Sequence, residues 1–191
     1  MTVCIFASSS SKVNSEYAVA ASQLGMLLAK ANIDVVYGGG GIGLMKKLAD
    51  AVIENGGRIT GVIPSFMKDA GWDHSLVNDM IVTTDMGERK KMMFSLSDGI
   101  VALPGGIGTL EELTEAITLK QLGLFKGQII LLNTLDFYRS LIDFFEHMVA
   151  GHFLRFEHKG MWDIAGTPEE VLLFLARKSN WTRDPRSIAK I

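Results

Sequence analysis

The 191-residue chain has a single cysteine, Cys4, which excludes an intramolecular disulfide and a multi-cysteine zinc site. Its four histidines, His74, His147, His152 and His158, form no i,i+4 pair and carry no flanking ligand pattern. No histidine metal site is expected, and no cofactor. Neither sign of charge dominates: 19 Lys and Arg stand against 21 Asp and Glu, with no basic block. A broad phosphate-contacting surface for nucleic acid is therefore not expected. No apolar run approaches the roughly 18 residues of a membrane span. The opening Met1-Thr2-Val3-Cys4-Ile5-Phe6-Ala7 lacks the basic leader and long apolar core of a signal peptide. The expectation is a cytoplasmic protein with neither nucleic-acid nor membrane partners.

What remains is a globular composition, 48% apolar and 21% charged. A chain of this length buries roughly 70% of its unfolded surface, enough for one core. We expect one domain over 1–191, with the core at about 1–178 and a polar tail at about 179–191 that docks weakly or frays. Short runs rich in β-branched residues alternate with longer helical patterns. The strands are expected at 3–7, 33–37, 58–63, 80–84, 99–103 and 128–132. Helices follow at about 15–31, to 55, 86–96, to 122, 137–150 and 168–178, while 65–79 reads as irregular or briefly helical. Nearly continuous apolar strands imply a sheet covered on both faces. The βα repetition then specifies a doubly wound α/β fold, a mostly parallel sheet flanked by helices in the Rossmann-like manner.

Ligands of such folds lie beyond the carboxyl ends of the strands, where strand order reverses. Two glycine-rich loops lead from strand to helix there, Gly38-Gly39-Gly40-Gly41-Ile42-Gly43 and Pro104-Gly105-Gly106-Ile107-Gly108. Glycines let backbone N–H groups approach an anion, and a helix N-terminus adds about half a positive charge. Phosphate is the natural guest; the plainer reading is two tight βα turns. Gly38-x-Gly40-x-x-Gly43 formally matches the dinucleotide fingerprint. It follows the second strand, however, and the next strand ends at Val62-Ile63-Pro64 with no acid for a ribose hydroxyl. A redox enzyme using NAD is disfavoured. So is an ATPase, because Gly43-Leu44-Met45 lacks the Gly-Lys-Ser/Thr of a Walker A loop.

The second loop runs on into Thr109-Leu110-Glu111-Glu112. Thr109-x-x-Glu112 reads as a capping box, which places Glu112 at the third helical position, folded back to the helix mouth. The helix dipole there favours the ionised form, suited to stabilising a developing cation. Glu88-Arg89-Lys90-Lys91 opens the helix after the fourth strand, with Asp85-x-x-Glu88 as another capping pattern. The plainer reading is a solvated first turn; three cations at a helix start oppose the dipole, however, an inconsistency that leaves a functional site open as the alternative. Arginine keeps its proton at ordinary pH, so Arg89 serves as a clamp or electrostatic stabiliser.

Pro104 through Glu112, Gly38 through Met45, and Glu88-Arg89-Lys90 together resemble the signature of the Lonely Guy family of cytokinin riboside 5′-monophosphate phosphoribohydrolases. Ser97-Asp98 and Gln121-Leu122-Gly123 fit as well, and the likeness spans about 3–175. It implies hydrolysis of the N-glycosidic bond of a cytokinin or adenine nucleoside 5′-monophosphate, giving free base and ribose 5-phosphate. Arg89 and Glu112 match the family's catalytic pair, and Gly105, Gly106, Gly108 and Thr109 its phosphate-binding turn. Gly40, Gly43, Ser9 and Lys90 complete the expected substrate-contacting set, with Glu111 and Asp98 as second-choice carboxylates. The likeness also implies a homodimer. Some members carry a lysine decarboxylase label; no pyridoxal site is visible in the sequence, and that reading is set aside. Ala7, Lys46 and Gly87 depart from the family pattern and bear on substrate preference. The rival reading is a non-catalytic nucleotide- or phosphorylated-cofactor-binding carrier module, served by the same loops.

Overall fold

The computed structural model describes residues 1–177 and Trp181. Seven strands form one sheet in the order β4-β3-β2-β1-β5-β6-β7, with every neighbouring pair parallel. The strands are β1 (Thr2–Phe6), β2 (Asp34–Tyr37), β3 (Ile59–Pro64), β4 (Asp79–Thr83), β5 (Gly99–Ala102), β6 (Gln128–Leu132) and β7 (Asp163–Ala165). The helices are α1 (Ser15–Lys30), α2 (Gly43–Glu54), α3 (Ser65–Asp69), α4 (Met86–Ser95), α5 (Ile107–Gln121), α6 (Arg139–Ala150) and α7 (Pro168–Leu175). The chain winds outward from β1 to β4 and then returns to lay β5 against the other side of β1. Strand order therefore reverses between β1 and β5, the place where such sheets open a crevice.

Alternate residues of each inner strand feed two cores. Val3 and Ile5 join Val35, Tyr37, Val101 and Leu103 beneath α1, α2 and α7. Cys4 and Phe6 join Val36, Ile100, Ala102 and Ile129 on the opposite face, against Met93 of α4, Leu113 and Ala116 of α5 and Phe145 of α6. The side-chain period of two makes both sets apolar, which is why the strands read as unbroken apolar runs. Helix α1 is capped by Asn14, whose side chain accepts the Glu16 N–H at 3.0 Å, and buries Ala20, Ala21, Leu24 and Leu28 along one stripe. Gly25 lets α2 press close: a Cβ there would lie 2.6 Å from the Leu48 carbonyl oxygen.

The six expected strands all form, within a residue or so of their anticipated ends. The seventh, β7, was not anticipated; three residues beginning with Asp163 offer no readable alternation. The irregular stretch 65–79 contains the short α3. The last helix ends at Leu175, before the expected 178, and Lys178 lies outside the described residues. Of the expected tail only Trp181 is described. It is buried, and its indole Nε1–H donates to the Lys120 carbonyl at 3.2 Å. No helix among the described residues is long and apolar enough to cross a membrane.

Candidate active site

A cleft of about 470 Å³ opens at the carboxyl ends of β1 and β5. Its walls are residues 6–10 after β1, Met86, Arg89 and Met93 of α4, and Gly106–Thr109, Glu111 and Glu112 at the start of α5; Met45 and Met67 also line it. A larger cleft, about 600 Å³, lies at the amino ends of β1 to β4 among Thr2, Asp34, Arg58 and Asp79. Its charges are ordinary surface pairs, such as the exposed Arg58 on Asp34 at 2.7 Å. Of these two, the smaller cleft joins a buried charged pair to a helix N-terminus.

That pair is Arg89 and Glu112. Helix α4 begins conventionally: Asp85 caps it by accepting the Glu88 N–H at 2.8 Å, and the Glu88 carboxylate reaches back to the Thr84 N–H at 2.7 Å. Accepting these backbone N–H groups holds both carboxyls below their usual range. The acids occupy the first turn, so Arg89, Lys90 and Lys91 fall in the second. The expected clash with the dipole is thereby avoided. Arg89 is buried and crosses under the sheet's end. Its Nε donates to the Val62 carbonyl at 3.0 Å, Nη2 to the Gly38 carbonyl at 3.2 Å, and Nη1 to Glu112 Oε1 at 3.1 Å. The ends of β2 and β3 thus aim the guanidinium at α5.

The expected capping box at Thr109 and Glu112 does not form. Helix α5 starts three residues earlier, with Gly106 at the cap and no side-chain cap at all. Glu112 consequently lies in the second turn, past the stretch over which the dipole is strongest, with its side chain buried at the cleft. Burial pushes its carboxyl above the usual range, against the pull of Arg89. Thr109 is buried too, folded over Gly105: a Cβ on Gly105 would fall 2.1 Å from Thr109 Oγ1. Nothing stands within 4 Å of an added Cβ at Gly106 or Gly108, so this turn, which has no side-chain cap, is open beside the cleft.

The structure therefore brings Arg89, Glu112, Gly106, Gly108, Thr109 and Ser9 to one cleft, with Gly105 supporting the turn. Three expected contacts lie elsewhere. The mouth of α2 is filled by the chain itself, because Leu44 N and Met45 N both donate to the Ser8 carbonyl, at 2.9 and 3.3 Å. Gly43, at φ +65°, packs against the backbone of Ser9 and Ser10. Gly40 bridges to Asp73, and Met45 covers it. Lys90 points sideways to Glu111 and Glu115, the latter pair at 2.6 Å, and lines no part of the cleft. Among the second-choice carboxylates Glu111 lines the cleft. Asp98 sits at the amino end of β5, accepting the Thr2 N–H at 2.8 Å, at the far end of the sheet.

Some neighbours of the site gave no signal in the sequence. His74 is buried; its Nδ1 accepts the Leu76 N–H at 3.2 Å, its Nε2 lies 3.0 Å from Asp50 Oδ1, and its own N–H donates to the Gly39 carbonyl. It ties the 72–77 loop to the glycine loop that carries the Gly38 carbonyl. Lys46, one of the departures from the family pattern, closes on Asp50 at 2.6 Å in the same network. Ala7 lines the cleft, and Gly87 lies in the first turn of α4.

Fold and site together define a doubly wound α/β protein whose cleft, at the reversal of strand order, sets a buried Arg–Glu pair beside a helix N-terminus suited to an anion. The chain belongs to the Lonely Guy family of cytokinin riboside 5′-monophosphate phosphoribohydrolases. The matching family profile, described as "Possible lysine decarboxylase", covers residues 45–175. A cytokinin riboside 5′-monophosphate phosphoribohydrolase of Arabidopsis thaliana is 41% identical over 152 residues, 80% of this chain and 71% of that protein. A second from the same plant is 39% identical over 170 residues, 89% and 79% of the two chains. Among solved structures, the molybdenum cofactor carrier protein of Chlamydomonas reinhardtii superposes with a TM-score of 0.69 at 23% identity, covering 92% of this chain and 98% of that one. That likeness speaks for the fold alone.

Proposed function

We propose that the protein hydrolyses the N-glycosidic bond of a cytokinin or adenine nucleoside 5′-monophosphate, AMP included, releasing the free base and ribose 5-phosphate. The observation that carries this reading is the buried Arg89–Glu112 pair opening onto the uncapped start of α5. The sequence relationship to enzymes named for this reaction supports it.

The phosphate docks on the turn from Gly105 to Thr109, where backbone N–H groups and the helix dipole favour an anion. Fixing the phosphate fixes the ribose. As the bond to the base lengthens, C1′ gains oxocarbenium character. Ionised Glu112 stabilises that charge and orients the attacking water, with Oε1 already held by Arg89. Three of the five N–H donors of Arg89 are engaged by Val62, Gly38 and Glu112, which leaves two to steady the substrate and departing base.

For assembly we propose a homodimer; exposed Met86 and Ile107 at the rim of the cleft suit a contact with a second copy. For location we propose the cytoplasm, a reading that rests on composition. The test is base release from nucleoside monophosphates with their dephosphorylated nucleosides as controls. Retention of a phosphorylated ligand with no base released would favour the carrier reading.

A further inference from the structure

Lys90 spans α4 and α5 one residue from the central pair. Its amino group pairs with Glu111 and with Glu115, carboxylates one turn apart on α5, and its side chain is only 16% exposed. No other cation pairs with either acid among the described residues. Glu111 lines the cleft and is the immediate neighbour of Glu112. Without Lys90, the wall beside Glu112 would carry two uncompensated carboxylates.

We infer that Lys90 is a positioning residue that acts as shared counter-charge to Glu111 and Glu115, holding this wall of the cleft at one net negative charge instead of two. The consequence for a phosphate dianion rests on the functional reading above; the consequence for Glu112 does not. The charged or titratable groups facing Glu112 are Arg89 and Lys90 from α4, Glu111 on its own helix and the Cys4 thiol of β1. Lys90 favours the ionised form of Glu112 and Glu111 opposes it. The two effects offset each other while the pair is intact.

The direct test is a carboxylate NMR titration of Glu112 in substrate-free protein, for the wild type, Lys90→Met, and Lys90→Met combined with Glu111→Gln. Methionine keeps the apolar stem, and thermal melts confirm that each variant is folded. Lys90→Met is expected to move the Glu112 midpoint up by about 0.5–1 unit, and the added Glu111→Gln to bring it back toward the wild type. In turnover assays, KM for a monophosphate rises roughly 3- to 10-fold in Lys90→Met at low salt, with a smaller increase at high salt. The double variant regains most of that loss.

An unmoved midpoint in Lys90→Met overturns the inference. So does a shift, or a KM defect, that Glu111→Gln fails to relieve, because Lys90 would then be acting directly. Absence of base release by the wild type refutes the functional reading and leaves the titration result standing.

Discussion

Replacing Arg89 by methionine turns the central pair into a measurable quantity. The two side chains are only 8% and 10% exposed and lie 3.1 Å apart. Removing one partner of such a pair leaves the other charge buried, at a cost of about 3–5 kcal/mol. The Val62 and Gly38 carbonyls each lose a donor as well, adding about 1 kcal/mol apiece. Glu112 can escape by taking a proton. From an unfolded value of about 4.3, protonation costs about 5 kcal/mol at pH 8 and about 1 kcal/mol at pH 5. The sign follows from linkage: the variant's folded state raises the Glu112 pKa further, so stability is present at low pH and lost as pH rises through that value. Urea unfolding of the wild type and Arg89→Met at both pH values reads the difference. The variant should lose about 4–6 kcal/mol at pH 8, and at least about 2 kcal/mol less than that at pH 5. Adding Glu112→Gln should recover part of the loss at pH 8 only. An equal loss at both pH values would refute the reasoning, since Glu112 could not then be the stranded charge.

Glu112→Gln alone should keep the Arg89 bond and the fold while kcat falls by about 10²–10³, the scale of losing one preorganised electrostatic group. Full activity in that variant would falsify the assignment of Glu112. The acid limb of the wild-type rate profile should lie above the ordinary carboxylate range, as the burial of Glu112 requires; a limb near pH 4 would contradict it. Gly43→Ala should cost about 2–4 kcal/mol in denaturant unfolding, from a left-handed φ of +65° and backbone atoms of Ser9 and Ser10 within 2.7 Å of the new Cβ. Lys120 is fully buried and burial lowers its pKa to about 8. Its folded state binds fewer protons than the unfolded one between pH 8 and the unfolded value. Wild-type stability should therefore rise over that range by on the order of 1–3 kcal/mol relative to Lys120→Met, and parallel stability curves would count against it.

The sheet was legible because a two-sided parallel sheet writes itself as apolar runs between helical stretches; β7 was not, being three residues long and polar at its start. The turn at 105–109 was legible from its glycines and its helix. The position of Glu112 in that helix was misread, because Gly106 rather than Thr109 supplies the cap and the register shifts accordingly. The glycine loop at 38–43 looked like a second anion site, yet its helix mouth is closed by the Ser8 carbonyl, a contact between loops far apart in sequence. Lys90 and His74 illustrate the same limit. Their partners Glu111, Glu115 and Asp50 lie on other helices, and only the packing of those helices chooses among the acids available.

The most direct test of the account is base release from AMP and isopentenyladenosine 5′-monophosphate, beside their dephosphorylated nucleosides, by wild type and Glu112→Gln of matched thermal stability. The account predicts release from the monophosphates alone, with the variant slower by about 10²–10³. Equal release from the nucleosides, or none from any monophosphate, would contradict it.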